Sequence, residues 1–249
     1  AARHNRAMFK QLMPTRPSST SRSSHRSFAV RLIGWAGKAV LAFVVISLVW
    51  VVITKWVPVP YTATMLMDGN GVTKDWTPLS RIDRSMVDAA IAGEDSRFCS
   101  HSGFDGQAML QAFERNQQGG RIRGGSTISQ QTAKNVFLWQ GGGYFRKGLE
   151  AWFTVLIEKI WGKRRIMEVY LNVAETGIGT YGVEAGAQRY YHKGAAHLSR
   201  IEAARIAAAF PQPKVREVTG ASGRQRRHGN AIAARSAVVR GQYDICVYN

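Results

Sequence analysis

Three groups of side chains in this sequence are of types, and at spacings, that could do chemistry. Glu94 and Asp95 adjoin in A-G-E-D-S-R-F, near the C-terminal end of a helix that Asp83 or Ser85 can cap. Acids at the negative end of a helix dipole cost a few tenths to about 1 kcal/mol. Residues that oppose local preference point towards function, although an acidic pair alone signals little. Glu150 is a second acid, four residues after Arg146, at the edge of an apolar stripe made by Leu149, Trp152, Phe153, Leu156, Ile157 and Ile160. One carboxylate therefore borders a packed surface beside a fixed cation; taken alone, the pair reads better as a solvated ion pair. Thr127, Gln130, Gln131 and Lys134 fall at i, i+3, i+4 and i+7 of another helix. Amides donate and accept at once, which suits a sugar, and an ammonium suits a phosphate. An ordinary wet helix face more often mixes Glu with Lys.

The elements that must position these groups are mostly helical. Periodicity predicts one helix over about 146–161 and another that starts at R-G-G-S, with Ser126 as its N-cap. Ser199 and Glu202 make a capping box for a helix that ends before Pro211. The stretch G-G-R-I-R-G-G-S (119–126) fails as a nucleotide loop, because Gly125 stands where the motif needs Lys, although anion affinity at 124–126 stays open. No H-E-x-x-H or C-x-x-C signals zinc, and His101 and His192 read as surface or hydrogen-bonded side chains. The absence of S-x-x-K and K-T-G argues against a serine acyl-transfer centre. Cys99 reads as a small buried residue, not a reactive thiol, and pairing with Cys246 is left open.

Composition bounds the whole. The 249 residues carry 34 Lys plus Arg against 16 Asp plus Glu, a net charge of +18, with 45% apolar residues and two cysteines. This is neither a disordered chain nor a disulfide scaffold. No acid precedes Asp68, and residues 32–55 contain an apolar run interrupted by Lys38, long enough to cross a bilayer. The basic residues ahead of that run place the N-terminus in the cytoplasm and the larger portion outside, which makes nucleic acid an unlikely partner and lipid-linked phosphate a better one. The organisation reads as a basic cytoplasmic tail (1–31), a transmembrane helix (32–55), a juxtamembrane linker (56–82), a catalytic domain (83–215) and a C-terminal tail (216–249).

Four segments in order, E-D-S-R-F-C-S-H-S-G-F-D (94–105), R-G-G-S-T-I-S-Q-Q-T-A-K-N (123–135), R-K-G-L-E-A (146–151) and K-R-R-I-M-E-V-Y-L-N (163–172), resemble the successive motifs of the peptidoglycan glycosyltransferases. The resemblance is to their monofunctional, single-anchor biosynthetic form and covers about half the chain. It implies a mainly α, lysozyme-like domain at the cell inner membrane that joins lipid II disaccharide units by β-1,4 bonds. Carried over by motif, Glu94 would be the general base and Glu150 would assist departure of the lipid pyrophosphate, directly or through a divalent cation. No cofactor is required outright, and Mg or Mn at the pyrophosphate is the metal in question. Asp95, Phe98, His101, Arg123, Gly125, Ser126, Thr127, Gln130, Gln131, Lys134, Asn135, Arg146 and Lys147 would bind substrate. The implied partners are lipid II and lipid-linked glycan, the cytoplasmic membrane, and cell-wall synthase or divisome proteins. Ser129 and Thr132 depart from the Thr and Leu frequent in that family. A hydrolase of finished peptidoglycan and a tethered binding protein without catalysis are the competing readings.

Overall fold

The computed structural model describes residues 21–117 and 125–248. Its elements run α1 (Ser21–Trp56), α2 (Ala63–Leu66), β1 (Thr73–Lys74), α3 (Arg84–Glu94), α4 (Gly106–Gln117), α5 (Ile128–Phe137), α6 (Gly143–Ile160), α7 (Lys163–Val173), β2 (Glu175–Gly177), β3 (Thr180–Tyr181), α8 (Val183–Tyr191), α9 (Arg200–Ala209), α10 (Gly223–Val239) and α11 (Ile245–Tyr248). The fold is mainly α, as the periodicity predicts, with one small sheet ordered β1-β3-β2.

Within α1 the stretch Val30–Trp56 is 27 residues long with a hydropathy of 2.4, enough by length and composition to cross a membrane. The last turns of this helix do something the apolar count does not reveal. Ser47, Val51 and Thr54, on one helical face, are buried. Trp152 Nε1 donates to Ser47 Oγ at 3.1 Å, Trp161 Nε1 to the Val51 carbonyl at 2.7 Å and Arg165 to the Thr54 carbonyl at 2.9 Å. The root of the apolar helix is thus docked on α6 and α7 by indole and guanidinium donors.

Helix α3, which ends in Glu94, runs through the middle of the core with Met86, Val87, Ala89, Ala90 and Ile91 fully buried. It packs against α9 and α10. The α9 face that meets it is built from alanines, Ala203, Ala204, Ala207 and Ala208, and short side chains let helix axes approach closely. At the exit of α3, Gly93 has no room for a side chain to spare, since a Cβ there would lie 3.3 Å from Ile232 Cδ1 of α10.

The chain beyond 215 is therefore no loose tail. Helix α10 is part of the core, and α11 is joined to the turn after α3 by a disulfide between Cys99 and Cys246, with Cα atoms 5.5 Å apart. The pairing that the sequence left open is thus made; nothing in the local pattern around either cysteine announces a partner 147 positions away. Two ion pairs reinforce the join. Arg84 Nε meets Asp244 Oδ2 at 2.7 Å and Arg240 Nε meets Asp88 Oδ2 at 2.8 Å. Burial pushes the Asp88 carboxyl up to about 6, Asp244 beside it adds to the shift and Arg240 opposes it.

Candidate active site

Three elements bring the sequence-predicted groups to one cavity of about 860 Å³, whose lining includes Glu94, Asp95, Asp105, Gly125, Ser126, Thr127, Gln131 and Lys134. Glu94 is delivered by the last residue of α3, which Asp83 starts by accepting from Ser85 N at 2.8 Å. The next residue, Asp95, ties that helix end to the next wall, because its Oδ2 accepts from Ile128 N, the first residue of α5, at 3.0 Å. His101 holds the same carboxylate at 2.9 Å through Nε2, and its Nδ1 accepts from Gly103 N at 3.1 Å, so the proton sits on Nε2. Asp95 and His101 are in this way a brace between α3 and α5.

The N-cap of α5 is Thr127 and not Ser126. Thr127 Oγ1 accepts from Gln130 N while Gln130 Oε1 accepts from Thr127 N at 3.1 Å, a complete capping box. Thr127 and Gln130 are thereby buried and hydrogen-bonded to each other's backbone; Thr127 still lines the cavity, whereas Gln130 does not. The helical spacing was right, but the first turn of a helix has orphan N–H groups that claim such side chains first. Ser126 is left on the cavity wall. Gly125 allows the loop to press on α4, since a Cβ there would stand 3.1 Å from Met109 Cα.

Gln131 and Lys134 do face the cavity. Gln131 Nε2 donates to Glu94 Oε2 at 3.0 Å, and its Oε1 accepts from the hydroxyl of buried Tyr170 at 3.4 Å. That second bond fixes which end of the amide meets the acid. Burial raises the Glu94 carboxyl above its usual range; the Gln131 bond and the Arg216 charge pull it back and Asp95 pushes it further up. A raised carboxyl is a stronger proton acceptor once ionised, which is what a general base needs.

Lys134 lies beside a second charged group. Glu150 is 2% exposed and does not line the cavity. Its Oε2 accepts from Arg146 at 2.7 Å, and its Oε1 accepts from Lys147, whose Nζ also donates to Ser126 Oγ at 3.1 Å. Burial lowers the Lys134 ammonium, and the nearby Arg146 and Lys147 charges lower it further against the pull of Glu150. One buried carboxylate thus holds together three cations next to the cavity. The Glu150 carboxylate is already surrounded by Arg146, Lys147 and Lys134, and that positive charge disfavours a divalent cation beside it.

Other expected site residues fall elsewhere. Phe98 is fully buried beneath Lys163, whose Nζ lies 4.4 Å from its ring centroid. Asn135 is half-buried and does not line the cavity. Arg123 lies outside the described residues. Glu158, Glu168 and Glu202 serve structure, accepting from Lys163, Leu79 N and Ser199 N respectively. The remaining wall of the cavity comes from residues that the motifs do not contain, Arg115 of α4, Arg216 after α9, and His228 and Arg235 of α10.

The sequence profile of the Transglycosylase family matches residues 62–237. The chain belongs to the transglycosylase family. This transglycosylase is 52% identical over 176 residues to a biosynthetic peptidoglycan transglycosylase of Caulobacter vibrioides, covering 70% of this chain and 77% of that one. Proteins of the same name from Bdellovibrio bacteriovorus and Pasteurella multocida are 47% identical over 212 residues and 43% identical over 211, covering 80% and 81% of this chain and 85% and 86% of theirs. The matched span takes in α10, so the C-terminal wall of the cavity lies inside the family domain.

Proposed function

We infer that this transglycosylase polymerises glycan strands of peptidoglycan from lipid-linked disaccharides, with lipid II as substrate. The observation that carries the reading is one cavity with a desolvated carboxylate, Glu94, and a cation cluster centred on Lys134 beyond it. Glu94 accepts the proton of the acceptor sugar's 4-hydroxyl as that oxygen attacks the donor's anomeric carbon. The bond from that carbon to the diphosphate oxygen breaks, and the lipid diphosphate leaves with the electron pair. An α-linked diphosphate becomes a β-linked sugar, so the reaction inverts, and base and leaving group belong on opposite faces of one ring. Negative charge that builds on the leaving diphosphate is stabilised by Lys134, Arg146 and Lys147 held in place beforehand. Glu150 acts through those cations as a positioning residue.

The apolar helix supports a single-pass anchor, and the basic residues before it support a cytoplasmic N-terminus with the cavity outside. The reading is tested by incubating the purified full-length protein in detergent with lipid II and resolving the products by chain length. Polymeric glycan with release of undecaprenyl diphosphate is expected. Cleavage of finished peptidoglycan without extension of lipid II would overturn the assignment in favour of a hydrolase.

A further inference from the structure

Behind Glu94 stands a hydroxyl to which the polymerase reading gives no part. Tyr170 of α7 is 1% exposed and does not line the cavity. Its ring meets the edge of Phe210, which does, with centroids 5.5 Å apart. Among the described residues the phenol oxygen has one hydrogen-bond partner, Gln131 Oε1 at 3.4 Å. Burial pushes the Tyr170 hydroxyl well above its usual range, and the Glu94 and Asp95 charges add to the shift, so it always has a proton to donate. The other end of the Gln131 amide faces oxygens that accept, Glu94 Oε2 at 3.0 Å and the Ser126 carbonyl at 3.5 Å.

A glutamine amide has two ends of similar shape and opposite hydrogen-bonding sense. In the orientation observed, its NH2 favours ionised Glu94 and engages Oε2, which leaves Oε1 without a hydrogen bond from the described residues. With the amide turned over, its carbonyl would face the acid. Ionised Glu94 would then be repelled, and protonated Glu94, donating to that carbonyl, would be favoured. Such an acid takes no proton from a sugar. Burial already tilts Glu94 towards its neutral form, so the sense of the amide matters to the balance. The charges that act on Glu94, Asp95 beside it and Arg216 after α9, do not choose between the two ends of the amide. Neither do Lys134 of α5 or His228 and Arg235 of α10, which line the same cavity. Tyr170 does choose, because turning the amide would leave its buried hydroxyl facing a donor.

Resting on the polymerase reading, we propose that Tyr170 is a positioning residue, whose buried hydroxyl holds the Gln131 amide in the one sense that keeps Glu94 ionised, with Oε1 ready for the acceptor's proton.

The test is extension of lipid II by the full-length protein in detergent, followed as a function of pH. Tyr170→Phe keeps the ring against Phe210 and removes only the donor. Its acid limb is expected to lie about one pH unit higher, so that the rate on the limb falls about tenfold, while the plateau at higher pH and the KM for lipid II stay within about twofold. A packing defect would instead lower the rate at every pH. In a Gln131→Ala background the same substitution is expected to change nothing further, since the hydroxyl acts only through the amide. Should Tyr170→Phe fail to fold, site-specific difluorotyrosine at 170, a stronger donor of nearly the same shape, is expected to move the limb the other way and raise the rate on it about twofold. An unmoved limb, a uniform fall across pH or a further loss in the Gln131→Ala background overturns the role of Tyr170 and leaves the polymerase reading intact. Failure of the unsubstituted protein to extend lipid II at any pH overturns both.

Discussion

The two walls of the cavity are built in opposite ways. The wall made by α5 presents Gln131 and Lys134 and is backed by Arg146, Lys147 and Glu150 of α6, all within twenty consecutive positions, and its order comes from helical spacing and one buried carboxylate. The wall made by the turn after α9 and by α10 carries no acid at all among its cavity-lining residues, and its position is imposed from outside, by the fit of Ile232 on Gly93 and the cluster joining α3 to residues 240–248. The first wall is organised by charge held at short range, the second by packing across the whole chain. Chemistry that must be accurate to a fraction of an ångström can rest on either, but the two fail differently.

The largest effect is expected at the group between them. Glu94→Gln keeps the shape and the Gln131 neighbour but removes the base, and polymerisation should fall at least about 10³-fold with lipid II binding retained. Retained turnover would exclude Glu94 as the proton acceptor. Next, Glu150→Ala strips the first wall of its counter-charge and should lower kcat/KM about 10²-fold, because three cations left without their carboxylate repel one another. A matching loss in the isosteric Glu150→Gln variant would tie the effect to charge, whereas full activity in it would sever the first wall from catalysis.

The second wall should respond in stability before activity. Reduction of Cys99–Cys246, or Cys99→Ser with Cys246→Ser, removes a crosslink closing a long loop and should destabilise by about 2–4 kcal/mol, read as a fall in the unfolding midpoint. An unchanged midpoint would show that the ion pairs alone hold the C-terminus. The smallest effects are those of pH. Polymerisation needs Glu94 ionised, so its acid limb should lie above the ordinary glutamate value of about 4.3, and the rate should drop as pH falls through it. Asp88 works in the other direction. Its native carboxyl is pushed up to about 6, so its protonated form favours the folded state. That contribution is complete below about pH 4 and is lost as pH rises through about 6. Asp88→Asn should flatten the change in unfolding midpoint across this window.

Much of the first wall could be read in the sequence because its information is local. A period of 3.6 places Gln131 and Lys134 together, and four residues separate Arg146 from Glu150. What spacing could not decide was competition for a side chain: Thr127 and Gln130 share the right face but are claimed by the helix cap. Glu94 was visible as an acid in an unfavourable place, whereas Tyr170, which donates to Gln131, hides in an apolar helix as one more core aromatic. The second wall was illegible for a different reason. Arg216, His228 and Arg235 sit among other arginines in a polar stretch, and only tertiary contact sorts those that face the cavity from those in solvent. The i, i+7 relation of His228 and Arg235 around apolar Ile232 was the one local signal available.

The clasp between α3 and the chain's far end also sets a timetable for birth. Arg84, Asp88 and Cys99 leave the ribosome some 150 positions before Arg240, Asp244 and Cys246. Until those residues arrive, α3 rests on α9 and α10 without the two ion pairs and the crosslink. A polypeptide cut short before residue 240 would keep the whole segment matched to the family and lose the disulfide and both ion pairs that fasten α3.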